Sequence, residues 1–261
     1  MANQSKMTGA VPERAAQARS VGQPHPDEGL SLVSRIMRAV TDHIRDKQLR
    51  VGDSLPGEVF FAEQMHASRA VVREAFGALA ALKLIDVGNG RRARVGAIDG
   101  AVLAASLDHG LRTAQITGGD VWDVRQTIER RTAMLAASSR TPEEAAEIVA
   151  LAERMSTDCD DLARMTQHDI AFHVAIARAS HNNLFVQIVE SFGPLMEFVV
   201  PRAWRALTKK AQRVAVLDRH RALATAIAKG LPDKAAKAMD AHFDDSFRAV
   251  VWKDFGRTRQ D

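Results

Sequence analysis

Leu55-Pro56-Gly57-Glu58-Val59-Phe60-Phe61-Ala62-Glu63-Gln64-Met65-His66-Ala67-Ser68-Arg69-Ala70-Val71-Val72-Arg73-Glu74-Ala75-Phe76-Gly77-Ala78-Leu79 packs a helix start, a short helix, a tight turn and a second helix into one stretch. Pro56-Gly57 ahead of the acidic Glu58 opens the first helix, which turns Phe61, Ala62 and Met65 towards a core. Ser68 has the oxygen needed to cap the next helix, which runs to about Leu82 with Val72, Ala75, Phe76 and Leu79 on its buried side. Upstream, Leu32, Ile36, Val40 and Ile44 recur every four residues, one stripe of an amphipathic helix that ends near Lys47 before Gly52-Asp53-Ser54. Downstream, Leu84–Val87 and Arg91–Val95 form two short strands around Gly88-Asn89-Gly90. Three helices followed by a basic hairpin make a winged helix-turn-helix.

The remainder of the chain has a different character. Residues 1–28 mix Ser, Gln, Gly and Pro without apolar periodicity and are expected to form a tail. The winged module is expected over 29–97 and an all-helical domain over 98–255, with glycines clustering between Gly96 and Gly119 at the boundary. Asp120 is expected to cap a helix reaching Ser139, and Thr141-Pro142-Glu143-Glu144 is a capping box with Pro at the first helical position. Further helices are expected over about 158–180, 184–200, 209–229 and 232–253. The fold class is therefore mainly α, a winged helix-turn-helix joined to an antiparallel helical bundle.

Charge, cysteine and hydropathy narrow the function. The net charge of +4 is confined to residues 30–96, where eleven Lys/Arg face seven Asp/Glu, while the 22 basic and 22 acidic residues of 97–261 cancel. A localised basic module suits a polyanion partner. The single Cys159 cannot form an internal disulfide, and the N-terminus has no apolar run behind its first Lys, so a cytoplasmic protein without membrane partners is expected.

Arg69 and Arg73 lie four apart near the start of the third helix and project from one face of its first turns, the end that enters a major groove. A guanidinium fork satisfies O6 and N7 of guanine together, so both are candidate base readers. Ser68 and the neighbouring amides suit a phosphate, Gly90 allows close backbone approach, and Arg91, Arg92 and Arg94 on the wing can reach a phosphate or minor groove. The competing reading is a solvated face, with Arg69 paired to Glu63.

The runs Leu55-Pro56-Gly57-Glu58, Ala62-Glu63-Gln64 and Ser68-Arg69-Ala70-Val71-Val72-Arg73-Glu74-Ala75, with the Gly90 wing, resemble the GntR family of bacterial transcription regulators over about residues 30–96. That resemblance implies a homodimer on a palindromic double-stranded DNA operator, with Arg69 and Arg73 matching the family's principal DNA-contacting arginines. Two positions depart from the pattern: Gly57 stands where Ser or Ala is usual, and Val59 where Arg is frequent, which removes one DNA contact.

In the helical domain, Asp169 and His173 share the apolar face of the 158–180 helix with Leu162, Met165, Ile176 and Ala177. His220 shares a face with Leu223, Ala224 and Ile227, and His242 with Ala235, Met239 and Ala249. Three imidazoles and a carboxylate meeting in a core would bind zinc or nickel with positions left for a ligand oxygen. Spacing leaves two plainer readings open, hydrogen-bonded core histidines and an intrahelical Asp169–His173 pair. Asp169-Ile170-Ala171-Phe172-His173, Asn182, His220 and His242 resemble the FCD effector domain of the FadR subfamily, whose metal-binding members use one Asp and three His; all four positions are filled here.

Arg125 matches a family position that often faces the effector, where its fork could hold a carboxylate; the alternative is a surface pair with Glu129. Asn182 either touches the pocket or caps a helix, Trp204 either lines it or packs in the core, and Arg202 and Arg205 could add positive charge. His168 and His181 fall off the site's face. No further acidic residue is visibly aimed at the metal, so hydrolysis lacks its general acid or base and the chain is not expected to be an enzyme. The expected function is a ligand-responsive regulator, a repressor, that binds a divalent metal and a small carboxylate, a sugar acid or a short organic acid. A metal-dependent hydrolase with an accessory DNA-binding domain and a constitutive dimeric DNA-binding protein are the alternatives.

Overall fold

The computed structural model describes residues 29–88 and 90–243 of the 261-residue chain. The expected tail before residue 29 and the expected continuation of the last helix to 253, with Ala249, lie outside those residues. Helix α1 (Leu32–Asp46) begins at Ser31, whose hydroxyl accepts from the Ser34 amide. Helices α2 (Glu58–Gln64) and α3 (Arg69–Ala81) follow, with Ser68 capping α3 by accepting from the Val71 amide. Ile36 and Val40 of α1 meet Phe61, Val72, Leu79, Leu55 and Ile85 in one buried cluster. That core fixes the angle between α2 and α3, and so which face of α3 is left to solvent.

The wing is smaller than the sequence suggests. Its strands are β1 (Ile85–Asp86) and β2 (Arg94–Val95), antiparallel, with Ile85 opposite Val95 and Asp86 opposite Arg94. The expected strands at 84–87 and 91–95 shorten because the second limb is shared. Arg94 also bridges to Ser54, and the Leu55 amide donates to the Ala93 carbonyl, so the wing is stitched to the segment ahead of α2. Gly90 turns the chain with φ of +71°, a conformation that favours glycine.

The glycine-rich boundary contains a helix that periodicity did not reveal, α4 (Ala101–Arg112). It lies on α8 (Asn183–Ser191), and a Cβ at Gly100 would sit 2.8 Å from the Gln187 carbonyl oxygen and 2.9 Å from the Ser191 amide. Helix α5 (Gly118–Ser139) starts two residues before the expected cap. Thr117 is its N-cap and Asp120 is the third helical residue, the two exchanging hydrogen bonds in a capping box.

Helix α6 (Pro142–Thr157) starts at the Thr141 capping box as expected, and α7 (Leu162–Ala179) is capped by Asp161, which accepts from two amides. The expected helix over 184–200 is two helices, α8 and α9 (Gly193–Ala206), bent by 52°. Pro194 explains the break, since it cannot donate to the Glu190 carbonyl that an unbroken helix would satisfy. Helices α10 (Lys210–Ala228) and α11 (Pro232–His242) complete the bundle, in which α5 packs on α7 and α11, and α6 on α7 and α10. Trp122, Ile148, Phe172, Ile176, Leu223, Ile227 and Met239 are among its buried residues. No single described helix is long and apolar enough to cross a membrane.

Candidate nucleic-acid interface and metal centre

Arg69 opens α3 and is exposed, with no polar partner among the described residues, so the alternative pairing with Glu63 does not form. Arg73, one turn on, is 69% exposed yet tied back to Glu58 at the start of α2, with Nε 3.4 Å from Oε1 and Nη2 3.2 Å from Oε2. The two guanidinium groups share a face, but one is held and the other is not. Ser68 spends its hydroxyl on the cap. On the wing, Arg91 pairs with Asp86 at 2.9 Å beside Gly90, whereas Arg94, also exposed, donates to the Gly52 carbonyl at 2.6 Å. Arg94 is thus a brace for the wing. Arg92 lines a concave surface with His43, Lys47 and Gly57.

In the bundle, α7, α10 and α11 bring His173, His220 and His242 together. One ring nitrogen from each lies within 4.8 Å of the others, and all three residues are buried. Ring centroids are 4.4 Å apart for His220 and His242 and 5.0 Å for His173 and His242. Asp169, one turn before His173 on α7, lies with Oδ1 3.1 Å from His220 Nε2. It therefore pairs across to α10 and not along its own helix with His173.

The donor set can be tested for fit from its hydrogen bonds. His220 Nδ1 is 2.9 Å from the Val216 carbonyl oxygen, an acceptor only, so Nδ1 carries a proton. His220 Nε2 then points a lone pair at the Asp169 carboxylate unless a second proton or a cation lies between them. Both ring nitrogens of His173 are buried without a regular hydrogen bond among the described residues; Nδ1 has an ion-pair contact with Glu129, and Nε2 has none. Buried, mutually facing acceptors are costly when unsatisfied, and a divalent cation would satisfy them together. The residues fit a metal.

Electrostatics point the same way. Burial, reinforced by the charges of His220, His173 and Arg125, pushes His242 well below the usual imidazole range, so it is held neutral as a ligand must be. With a proton in place of a cation between His220 Nε2 and Asp169, burial raises the Asp169 carboxyl, but the His220 hydrogen bond and the charges of His173, His220 and Arg125 outweigh that and leave it lowered. Glu129 behaves likewise: desolvation raises it, and the Arg125 and His173 charges bring it below its ordinary value. All three groups bind protons more weakly folded than unfolded, so their contribution is present at neutral pH and fades as pH falls. The metal-free protein should lose stability first below about pH 6.5, as unfolded imidazole protonates, and further below about pH 4. Denaturant midpoints measured from pH 8 to 4 check this; a flat profile contradicts it.

Arg125 is not at the surface. It is 4% exposed, its Nε donates to Glu129 Oε1 at 2.7 Å, Nη1 abuts Met196 Sδ, and its guanidinium lies 5.4 Å from the Phe243 ring centre. The expected alternative of a surface pair with Glu129 is thus corrected to a buried one. The other carboxylate oxygen of Glu129 contacts His173 Nδ1. Beside Arg125 and His173 is a cavity of about 10 Å³, the room of roughly one water, walled by Ile170, Val189, Phe192, Gly193 and Met196.

Glu129 is the residue that the sequence reading missed. It stood only as a surface partner, although Val121, Trp122, Arg125, Glu129, Thr132, Ala133 and Ala136 form one buried stripe of α5. A carboxylate on an apolar stripe one turn from an arginine was the available signal. Other residues stand away from the cavity. Asn182 is exposed and caps α8, accepting from the Leu184 and Phe185 amides, and Trp204 is a core residue under the Arg213 guanidinium. Arg202 lies on the Phe198 ring and Arg205 is exposed. His168 pairs with Asp158 and His181 with Glu144, outside the cluster.

Two family profiles match the chain: bacterial regulatory proteins of the gntR family over residues 32–95, and the FCD domain over residues 120–245. The Glc operon transcriptional activator of Escherichia coli strain K12 is 30% identical over 222 residues, 83% of this chain and 87% of that protein. The galactonate operon transcriptional repressor of the same strain is 27% identical over 215 residues, 80% of this chain and 92% of that protein. Among solved structures, Streptococcus agalactiae GntR superposes with a TM-score of 0.58 at 21% identity, covering 84% of this chain and 98% of that one, a likeness of fold.

Proposed function

Because the chain belongs to the gntR family of bacterial regulatory proteins, as a DNA-binding transcriptional regulator with an FCD domain behind its winged helix-turn-helix, we propose that its bundle senses a small carboxylate through a divalent metal and thereby changes operator affinity. The observation that carries this reading is the buried convergence of three imidazoles, with Asp169 outside that close trio but against His220, beside a cavity that Arg125 also lines. His173, His220, His242 and Asp169 would hold zinc or nickel, and the ion would supply a positive centre for a ligand oxygen. Arg125 lines the same cavity and would take the carboxylate.

The cavity bears on the kind of acid. Its lining is polar only at Arg125 and His173, and each buried hydroxyl without a partner would cost about 1–3 kcal/mol. With room for about one water the cavity would have to open to admit any acid, and a short hydroxy acid would need less opening and leave fewer unpaired hydroxyls than a sugar acid, the other ligand that the sequence suggested. Asn182 and Trp204 take no part.

On the DNA side, a homodimer would set two copies of α3 in successive major grooves of a palindromic operator, with Arg69 and Arg73 on base edges and Ser68, Gly90 and Arg91 along the backbone. Repression by the ligand-free dimer follows if the acid binds the DNA-incompetent arrangement more tightly. The test is operator binding by the zinc-loaded protein against a panel of two- to six-carbon acids. We expect a short hydroxy acid to shift affinity at least about fivefold, the lower end of usual coupling, and only when zinc is present. Affinity indifferent to every acid would leave a constitutive DNA-binding dimer.

A further inference from the structure

Glu129 is the most deeply buried charged residue described, 1% exposed, and none of the roles above requires it. It sits mid-way along α5 and touches both halves of the proposed sensor. One carboxylate oxygen accepts from Arg125 Nε at 2.7 Å, and the other meets His173 Nδ1. Thr132, its polar neighbour on the stripe, bonds to the Glu129 backbone carbonyl instead of the carboxylate. A carboxylate brought fully out of water to touch these two groups is expensive unless both contacts are kept.

We propose that Glu129 is the positioning residue that couples the metal ligand to the ligand-reading arginine, an inference that rests on the metal-and-carboxylate reading above. An ionised carboxylate only accepts, so the nitrogen of His173 that faces it must carry the ring proton. That choice leaves His173 Nε2 deprotonated; neither ring nitrogen makes a regular hydrogen bond among the described residues, but Nδ1 has its ion-pair contact with Glu129 and Nε2 has no such contact. On its other side, Glu129 takes the Nε–H of Arg125, while Nη1 abuts Met196 Sδ, so an incoming carboxylate would have to displace that thioether to engage the Nη groups. The two functions are linked through one side chain. A swing of Glu129 towards Arg125 would loosen the orientation of His173, and the converse holds too.

Glu129→Gln tests this, because the amide keeps the shape but has one accepting oxygen where two are used. Zinc affinity should fall about 10–100-fold, the range for lost outer partners of metal-bound histidine. Binding of a short hydroxy acid to the zinc-saturated variant should weaken as well. Nitrogen-15 spectra of the metal-free wild-type protein should show His173 protonated at Nδ1, a signature that mere packing would not set and that is available even if the variant fails to fold. Wild-type zinc affinity in the variant, or a His173 proton on Nε2, overturns the proposal. If zinc binding is lost in His242→Ala but unchanged in Glu129→Gln, only the role of Glu129 falls. If the wild-type protein takes up no zinc, the sensor reading falls and takes this one with it.

Discussion

His242→Ala is expected to abolish stoichiometric metal binding while leaving a folded protein, and His220→Ala to abolish it while weakening the fold itself. The difference comes from what each imidazole leaves behind. His242 is held neutral by burial, and no carboxylate lies in ion-pair contact with it among the described residues, so its loss orphans no charge. His220 faces Asp169 at 3.1 Å, and both are buried. Removing His220 strands a desolvated carboxylate, a defect that in buried pairs costs about 3–5 kcal/mol. That is a large part of the roughly 5–15 kcal/mol that holds most domains together. Metal content after dialysis, with denaturant titration of the metal-free variants, checks both halves. Equal stability of the two variants would show that the Asp169–His220 contact contributes little. Retained metal in both would remove these histidines from the ligand set.

The fold was legible wherever a stripe was bought by burial against a single core. Leu32, Ile36, Val40 and Ile44 announce α1, and the Pro-Gly start and Ser68 cap bracket α2 and α3, because caps and apolar spacing are local rules. Helix α4 was hidden for the opposite reason. Gly110 is its only buried residue, so no strong stripe marks it, and Gly110 with the glycines on either side of the helix reads as a linker. The bend at Phe192 was legible in principle from Gly193-Pro194, but the continuous apolar run over both helices masked it. Thr117 lost to Asp120 as the expected cap because both residues can accept; the capping box uses both.

For the site, residue type and helical phase were enough to pick out the histidines and Asp169, since four polar residues on apolar faces are conspicuous. Pairing across helices was not readable. Nothing in one dimension distinguishes an Asp169 that meets His173 one turn away from one that meets His220 on another helix, and the structure has the second. The same blindness left Arg125 open between an effector-facing position and a surface pair, and gave Glu129 only the surface pair, whereas the two form a buried pair. Their burial is a property of α11 packing on α5 and of single side chains such as Phe243 and Met196, which are far away in sequence and reach Arg125.

Arg69→Ala is expected to cost about 1–3 kcal/mol of operator binding and to erase preference at one base position, with little effect on stability. Arg69 is exposed at the first position of α3, so nothing in the core depends on it. Arg73 should behave differently. Its fork is already held by Glu58, an exposed pair worth about 0–1 kcal/mol, and docking must either break that pair or use it to aim the guanidinium. Glu58→Gln separates these cases. If the pair competes with DNA, the variant binds more tightly and less selectively. If it aims Arg73, the variant keeps its salt-dependent affinity but loses discrimination at the base that Arg73 reads. The second outcome is expected, because a flexible arginine released from its partner still finds a phosphate, and phosphate contacts carry affinity without sequence. Binding to operators altered at single positions, measured across a salt series, makes the distinction. Unchanged discrimination in both Arg69→Ala and Arg73→Ala would mean that another face of the winged module reads the DNA.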